Sequence, residues 1–402
     1  MTRTQSLAVL VSVPLILAAC STGRQVGQTA GPASGSPVPT EIALVSPSPA
    51  EEAPPPRGAE LEFRTDFNQH SVDYAEILSG GPPKDGIPAV DIPRFVSVDE
   101  ADAWLQPQEP VILLRVGSDA RAYPIQILVW HEIVNDVVGS RPVLVTFCPL
   151  CNTAIAFERT VDEQVLDFGT TGRLRFSNLI MYDRQTETWW QQANGEAIAG
   201  DLTGTRLEFL PAAIVSWEDF RAAHPDGLVL SVETGYARAY GQNPYVGYDD
   251  VNNSPFLYRG PETPGQLRPM TRVLAVERNG DVVAFPYGTL EELRAVNESV
   301  GGEEVVVLWE PGTASALDSS GIAFGRDVGS ANAFSRIVDA RSLTFAFDGS
   351  NFTDQETGSR WSILGEATGG PLAGRRLDPI VAINHFWFSW VAFQPETRVY
   401  QP

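Results

Sequence analysis

The stretch Arg121-Ala122-Tyr123-Pro124-Ile125-Gln126-Ile127-Leu128 returns later in the chain as Val283-Ala284-Phe285-Pro286-Tyr287-Gly288-Thr289-Leu290. At the same offset Asn135 falls on Asn297, Val138-Gly139 on Val300-Gly301, and Val143-Leu144-Val145 on Val305-Val306-Val307. Further on, Asp183-Arg184-Gln185-Thr186 and Trp190 resemble Asp354-Gln355-Glu356-Thr357 and Trp361, with the drift that small loop insertions produce. Such self-similarity reads as two tandem, degenerate copies of one α+β unit, over 113–235 and 272–402. In each copy an apolar strand (Val111 to Val116; Arg272 to Val276) precedes a turn. A helix is then expected over Ile125 to Val137 and over Leu290 to Asn297, the second capped by Thr289. Buried strands follow, Pro142 to Phe147 and Glu303 to Trp309, and then short strands between Gly- and Thr-rich turns. The expected class is α+β, rich in β.

The two copies act as controls on each other. A position kept in both belongs to the scaffold, whereas a position present in one is dispensable for the fold. Cys148 falls opposite Glu310, Cys151 opposite Thr313 and His131 opposite Leu293. The chemistry is therefore expected in the first copy, with the second as a degenerate partner.

The chain has three cysteines, at 20, 148 and 151. The last two form Phe147-Cys148-Pro149-Leu150-Cys151-Asn152. A disulfide here closes so short a loop that the chain-entropy gain is only about 2 kcal/mol. A chain of this size does not need so weak a staple. Two other tasks suit Cys-x-x-Cys better: holding a soft metal with two thiolates, or cycling between dithiol and disulfide.

His131, just before the strand that delivers the pair, is a candidate third ligand, completing a site for zinc or copper(I). It serves equally as a base that lowers a thiol pKa. His131-Glu132-Ile133-Val134-Asn135 begins like a zinc-protease helix, but position 135 is Asn and recurs as Asn297. A structural role for Asn135 is expected. The first copy also has an extra segment from Gly172 to Asp183. Its Arg173 and Arg175 share one strand face, either to hold an anion or to pair with carboxylates. Asn178 and Tyr182 of the same segment are candidate pocket residues. Four of the ten Tyr fall between Gly235 and Asp250. Tyr245 and Tyr248 of that run are expected to line a pocket, cover the site or seal a seam between the copies.

The remainder of the chain supplies context. Arg3 precedes an apolar run that closes in Leu17-Ala18-Ala19-Cys20, a lipobox. Residues 1–19 are expected to be a lipoprotein signal peptide, leaving Cys20 lipidated and anchored to a bacterial membrane. Residues 20–58 read as a disordered Pro/Gly/Ser tether of about 35 Å reach. Residues 59–112 lead into the first copy, and the Tyr/Gly/Pro-rich 236–271 connects the copies. The location expected is extracytoplasmic, in the periplasm or at the cell surface. Across 402 residues, 28 Lys and Arg face 50 Asp and Glu, a formal charge of −22. Such a surface releases no counterions from phosphates, so no nucleic-acid partner is expected. No nucleotide-cofactor motif is present, and nothing identifies a protein partner.

The run His131 to Asp136, the segment Thr146-Phe147-Cys148-Pro149-Leu150-Cys151-Asn152-Thr153, Phe168-Gly169-Thr170-Thr171-Gly172, and Asn243-Pro244-Tyr245 resemble a bacterial and archaeal family. It is catalogued as domain of unknown function 3179, and many members look exported. The resemblance spans roughly 65–395, implies export, and implies no activity. Three functions are therefore expected in order: a binder of copper(I) or zinc through Cys148, Cys151 and His131; a thiol–disulfide oxidoreductase; and a glycan or ligand binder lined by aromatics such as Tyr182, Trp189 and Trp190.

Overall fold

The computed structural model describes residues 53–402. The segments expected to be a signal peptide and a tether, with Cys20, lie outside the described residues except for 53–58. The class is α+β and rich in β, with several antiparallel sheets and a few short helices.

Pro110–Val116 and Asp119–Pro124 form a hairpin, because Gly117 takes the left-handed backbone that the tight turn needs (φ 61°). Ala212–Ser216 pairs with one side of it, and Leu228–Leu230 lies parallel to the other. In the second half Arg272–Arg278 and Asp281–Pro286 make the corresponding hairpin. Ala382–Phe386 pairs with one side and Arg398–Val399 runs parallel to the other. The leading segment is woven into the first half. Phe95–Ser97 pairs with Leu228–Leu230, and Ile77–Ser79 with Phe168–Arg175.

The first expected helix is shorter than the apolar pattern suggests, and the second starts three residues earlier and ends four residues earlier than expected. They run Ile125–His131 and Tyr287–Leu293, each starting after a proline whose fixed φ presets the first turn. The residue after each helix, Glu132 (φ 59°) or Arg294 (φ 67°), is left-handed and ends it. The chain then continues as strand, Ile133–Val138 and Ala295–Val300, where β-branched side chains sit well on a pleated surface. Thr289 therefore lies inside its helix and caps nothing.

Two side-chain devices hold equivalent places in the halves. The Asn135 amide donates to Phe168 O and accepts from Phe168 N, both at 2.9 Å. Asn297 makes the same clamp on Phe345, both bonds at 2.8 Å. The structural role expected of Asn135 is this bridge between neighbouring sheets. Likewise, Asp183 accepts from Trp190 Nε1 at 2.9 Å and from Thr186 N at 2.6 Å. Asp354 accepts from Trp361 Nε1 at 3.0 Å and from Thr357 N at 2.6 Å. Asp354→Ala leaves a buried indole N–H without a partner, and an expected loss of about 3 kcal/mol follows, measurable by denaturant unfolding. A loss below about 1 kcal/mol would remove the bridge from the list of fold determinants.

Beside cores of their own, the halves share one. A large apolar cluster joins Ile133, Leu144 and Trp190 to Val273, Ala284 and Trp387, and it contains Cys148 and Cys151. The sulfur pair thus sits at the seam between the halves.

Candidate functional site

Strand Arg141–Cys148 ends on the first cysteine, and its antiparallel neighbour starts at Thr153, paired with Cys148. The residues between make a tight hairpin turn. Cys151 N donates to Cys148 O and Asn152 N to Pro149 O, both at 3.2 Å. Asn152 takes the left-handed position (φ 53°), which Asn tolerates better than most residues. This turn brings the two sulfurs to 3.0 Å as free thiols.

The surroundings of Cys151 are polar and specific. Its sulfur accepts from Asn178 Nδ2 at 3.3 Å and lies 3.3 Å from Ser177 O. Asn178 is itself locked by Gln192 Oε1 (2.9 Å), Gln191 Nε2 (2.6 Å) and Ala193 N (3.0 Å). The turn that presents Ser177 O holds two consecutive non-glycine residues, Phe176 and Ser177, at positive φ (53° and 63°). Each such residue costs about 1–2 kcal/mol in backbone strain. Strain of this kind is retained where the surrounding structure fixes it, and functional sites are frequent examples.

Cys148 is 2% exposed and Cys151 fully buried. Burial, then the neighbouring sulfur, push the Cys148 thiol well above its ordinary pKa, and the Glu132 charge adds to this. Glu132 itself is buried, and burial lifts its carboxyl to about 8. No hydrogen bond to that carboxyl occurs among the described residues. The second half has different groups in these places. Arg294 stands where Glu132 stands, its guanidinium 4.6 Å over the Trp309 ring. Glu310 stands where Cys148 stands, raised to about 8 by burial and by Asp219.

The tyrosine-rich segment covers the sulfurs. Tyr248 Oη donates to Leu150 O at 3.0 Å, between the two cysteines, and accepts from Phe256 N at 3.3 Å. Ser177 Oγ donates to Phe256 O, closing the cover on its far side. Tyr245 packs against the apolar cluster that contains both cysteines, and burial first, then the charges of Glu132 and Cys148, push its phenol up. The cover is fastened to the second half. Asn243 N donates to Ser320 O (2.8 Å), Gly247 N to Asp318 O (2.7 Å), and buried Asp249 binds Arg272 and Arg326.

Other sequence-predicted residues lie elsewhere. His131 ends its helix with both ring nitrogens engaged. Nδ1 donates to Pro88 O and Nε2 accepts from Tyr240 Oη, both at 2.6 Å. A carbonyl accepts only, so the proton is on Nδ1 and the Nε2 lone pair is taken. Among the described residues no three His, Cys, Asp or Glu side chains are grouped so as to hold a metal ion. Arg173 pairs with Glu62 (2.8 Å) and Arg175 with Glu76 (2.7 Å), carboxylates from the leading segment. The Tyr182 hydroxyl binds Asp85. Trp189 and Trp190 are fully buried and Tyr182 is 2% exposed, so all three are packed into the apolar cores.

Sequence reasoning passed over Glu132 and His385. His385 Nδ1 contacts Thr153 Oγ1 at 2.8 Å, and Phe386 N donates to Cys151 O at 2.9 Å. The only signal for Glu132 was its replacement by Arg294 in the matching position.

Fold and site together define a β-rich α+β protein whose two halves enclose a covered dithiol. The family described as "Protein of unknown function (DUF3179)" matches residues 84–397, and the chain belongs to it. No curated protein and no solved structure matches the chain.

Proposed function

We propose that Cys148 and Cys151 form a reversible dithiol–disulfide couple, making the protein a thiol–disulfide oxidoreductase. The 3.0 Å approach of the two sulfurs carries this reading. Two thiolates on a tetrahedral zinc, each about 2.3 Å from the metal, stand about 3.8 Å apart. The pair is closer than that, and the nitrogen that a third ligand would offer at His131 is occupied by Tyr240.

Cys148, the more exposed sulfur, attacks a disulfide of a partner substrate. Its proton passes to Glu132 when that carboxyl, raised to about 8, is ionised, and one substrate sulfur leaves as a thiolate. Cys151, held by Asn178, then gives its proton to the departed substrate thiolate, attacks Cys148 in the mixed disulfide and releases the second substrate sulfur, which takes up the proton held on Glu132. The products are the Cys148–Cys151 disulfide and the reduced substrate, so two electrons pass to the substrate. Under its cover the pair is inert, because burial holds the thiol protonated. This reading takes the chain to be exported and anchored through Cys20, on the sequence of residues 1–20. It also takes the halves to be copies of one unit, a view supported by the matched hairpins, asparagine clamps and Asp–Trp bridges.

Equilibration in glutathione or dithiothreitol buffers, with alkylation and mass analysis, tests the couple. A reduction potential above about −300 mV is expected. A lower value would mark an inert bridge. Uptake of one copper(I) or zinc ion by the reduced protein, lost in Cys151→Ser, would favour the metal reading instead.

A further inference from the structure

A second feature of the seam is independent of the sulfurs. A cleft of about 340 Å³ opens between the halves, within the range of about 300–1,000 Å³ typical of small-ligand sites. Its first-half wall carries Phe209 and its second-half wall Trp390 and Phe393, with Val381 and Ile383 between them. His385 closes its inner end, with the Trp390 ring centre 5.1 Å away.

The protonation of His385 follows from its partner. Thr153 Oγ1 donates its one proton to Cys151 O at 3.2 Å, so it accepts from His385 Nδ1–H at 2.8 Å. The Nε2 lone pair is left as an acceptor, and that buried atom has no partner among the described residues. A buried acceptor without a donor is costly, and a ligand hydroxyl relieves it. Burial holds the ring pKa down at about 3, so it remains neutral at any physiological pH.

The rim defines the rest of the ligand. Arg206 and Arg278 are offset by Glu277 and Glu303, so the cleft is electrically balanced in a chain of −22. Arg206 is bound to Glu196 and Arg278 to Glu303, leaving no free cation for an anionic ligand. The amides of Asn194, Asn279 and Gln394 also line it, each donating within the chain to Glu196, to Gly301 O and Glu303, and to Glu277, with their planar faces and remaining acceptors left for a ligand. Planar polar groups at the mouth, aromatic faces within and one bare acceptor at the end fit a rigid ring with hydroxyls at its edge and an apolar face.

We propose that this cleft binds a neutral sugar unit, which stacks on its aromatic walls and donates one hydroxyl to His385 Nε2. The proposal does not rest on the dithiol reading, since none of its groups is a sulfur.

The test is titration of the full chain with glucose, galactose, N-acetylglucosamine and maltose, followed by ligand-observed NMR and tryptophan fluorescence. At least one sugar is expected to saturate below about 10 mM, while glycerol, which has no apolar face, is not. Phe393→Ala, at the half-exposed wall, is expected to weaken binding at least about tenfold, and His385→Phe to do the same. Should His385→Phe fail to fold, Phe393→Ala still decides the matter. Cys148→Ser with Cys151→Ser is expected to leave the affinity unchanged. The proposal is overturned if no sugar saturates, if glycerol saturates as well as the sugars, or if a sugar binds the folded variants as tightly as the parent.

Discussion

Glu132→Gln is expected to stabilise the protein at pH 8 and to slow its thiol exchange in the same tube. The carboxyl titrates at about 8 in the fold, against an ordinary value near 4.5, because burial opposes its charge. Below about pH 4.5 folded and unfolded chains both hold the proton, and the residue costs nothing. Between about 4.5 and 8 the unfolded chain releases the proton while the folded one keeps it. The folded state then binds more protons, so stability falls as pH rises through that window. Each unit is worth about 1.4 kcal/mol, and relaxation around the charge reduces the total to roughly 2–4 kcal/mol. Glutamine has no such dependence. Denaturant midpoints of parent and variant should therefore coincide near pH 4.5 and diverge in favour of the variant by pH 8. Exchange with a small disulfide should slow about 10- to 100-fold, the usual contribution of a positioned base. A variant that gains stability and keeps its rate would leave Glu132 as buried strain and nothing more.

Tyr248→Phe should have the opposite effect on access. The hydroxyl makes two hydrogen bonds, to Leu150 O and from Phe256 N, that hold the cover over the sulfurs. Each contributes about 1 kcal/mol, so their loss raises the open population by about 30-fold. The phenyl ring keeps its apolar contacts, so the fold should persist. Alkylation of Cys148 by iodoacetamide, followed by mass spectrometry, should accelerate by a similar factor. An unchanged rate would mean that the sulfurs are reached by another route, or only on global unfolding.

Much of this was legible in the residues. Repetition exposed the first strand of each half and the turn after it, though not the returning strand, and the Asn present in both halves pointed to a structural role rather than a ligand. The Cys-x-x-Cys spacing marked the pair, while the tyrosine-rich run was legible only as a pocket lining, a cover or a seam. The misreadings have physical causes. Both expected helices run on past Glu132 and Arg294 because apolar residues continue there, and neither residue signals a left-handed helix end as Gly does. His131 is near the pair in sequence, yet its ring faces Pro88 and Tyr240, a direction set by packing of the leading segment. Arg173 and Arg175 found their carboxylates on that same segment, far away in the chain. Glu132 looked like any surface glutamate, since only the fold reveals that it is buried. His385 gave no pattern at all, because its partner Thr153 belongs to the other half.

The fastening of residues 243–249 onto the second half has a further consequence. Asp249 is fully buried between Arg272 and Arg326, and both arginines lie beyond the connecting segment. A fragment that stopped before Arg272 would retain both thiols, Asn178 and Tyr248, but lose the bolts of their roof and the Phe386 N–H bond to Cys151 O. Small reagents would then reach the thiols freely, so their insulation is a property of the whole chain and cannot be inherited by either part alone.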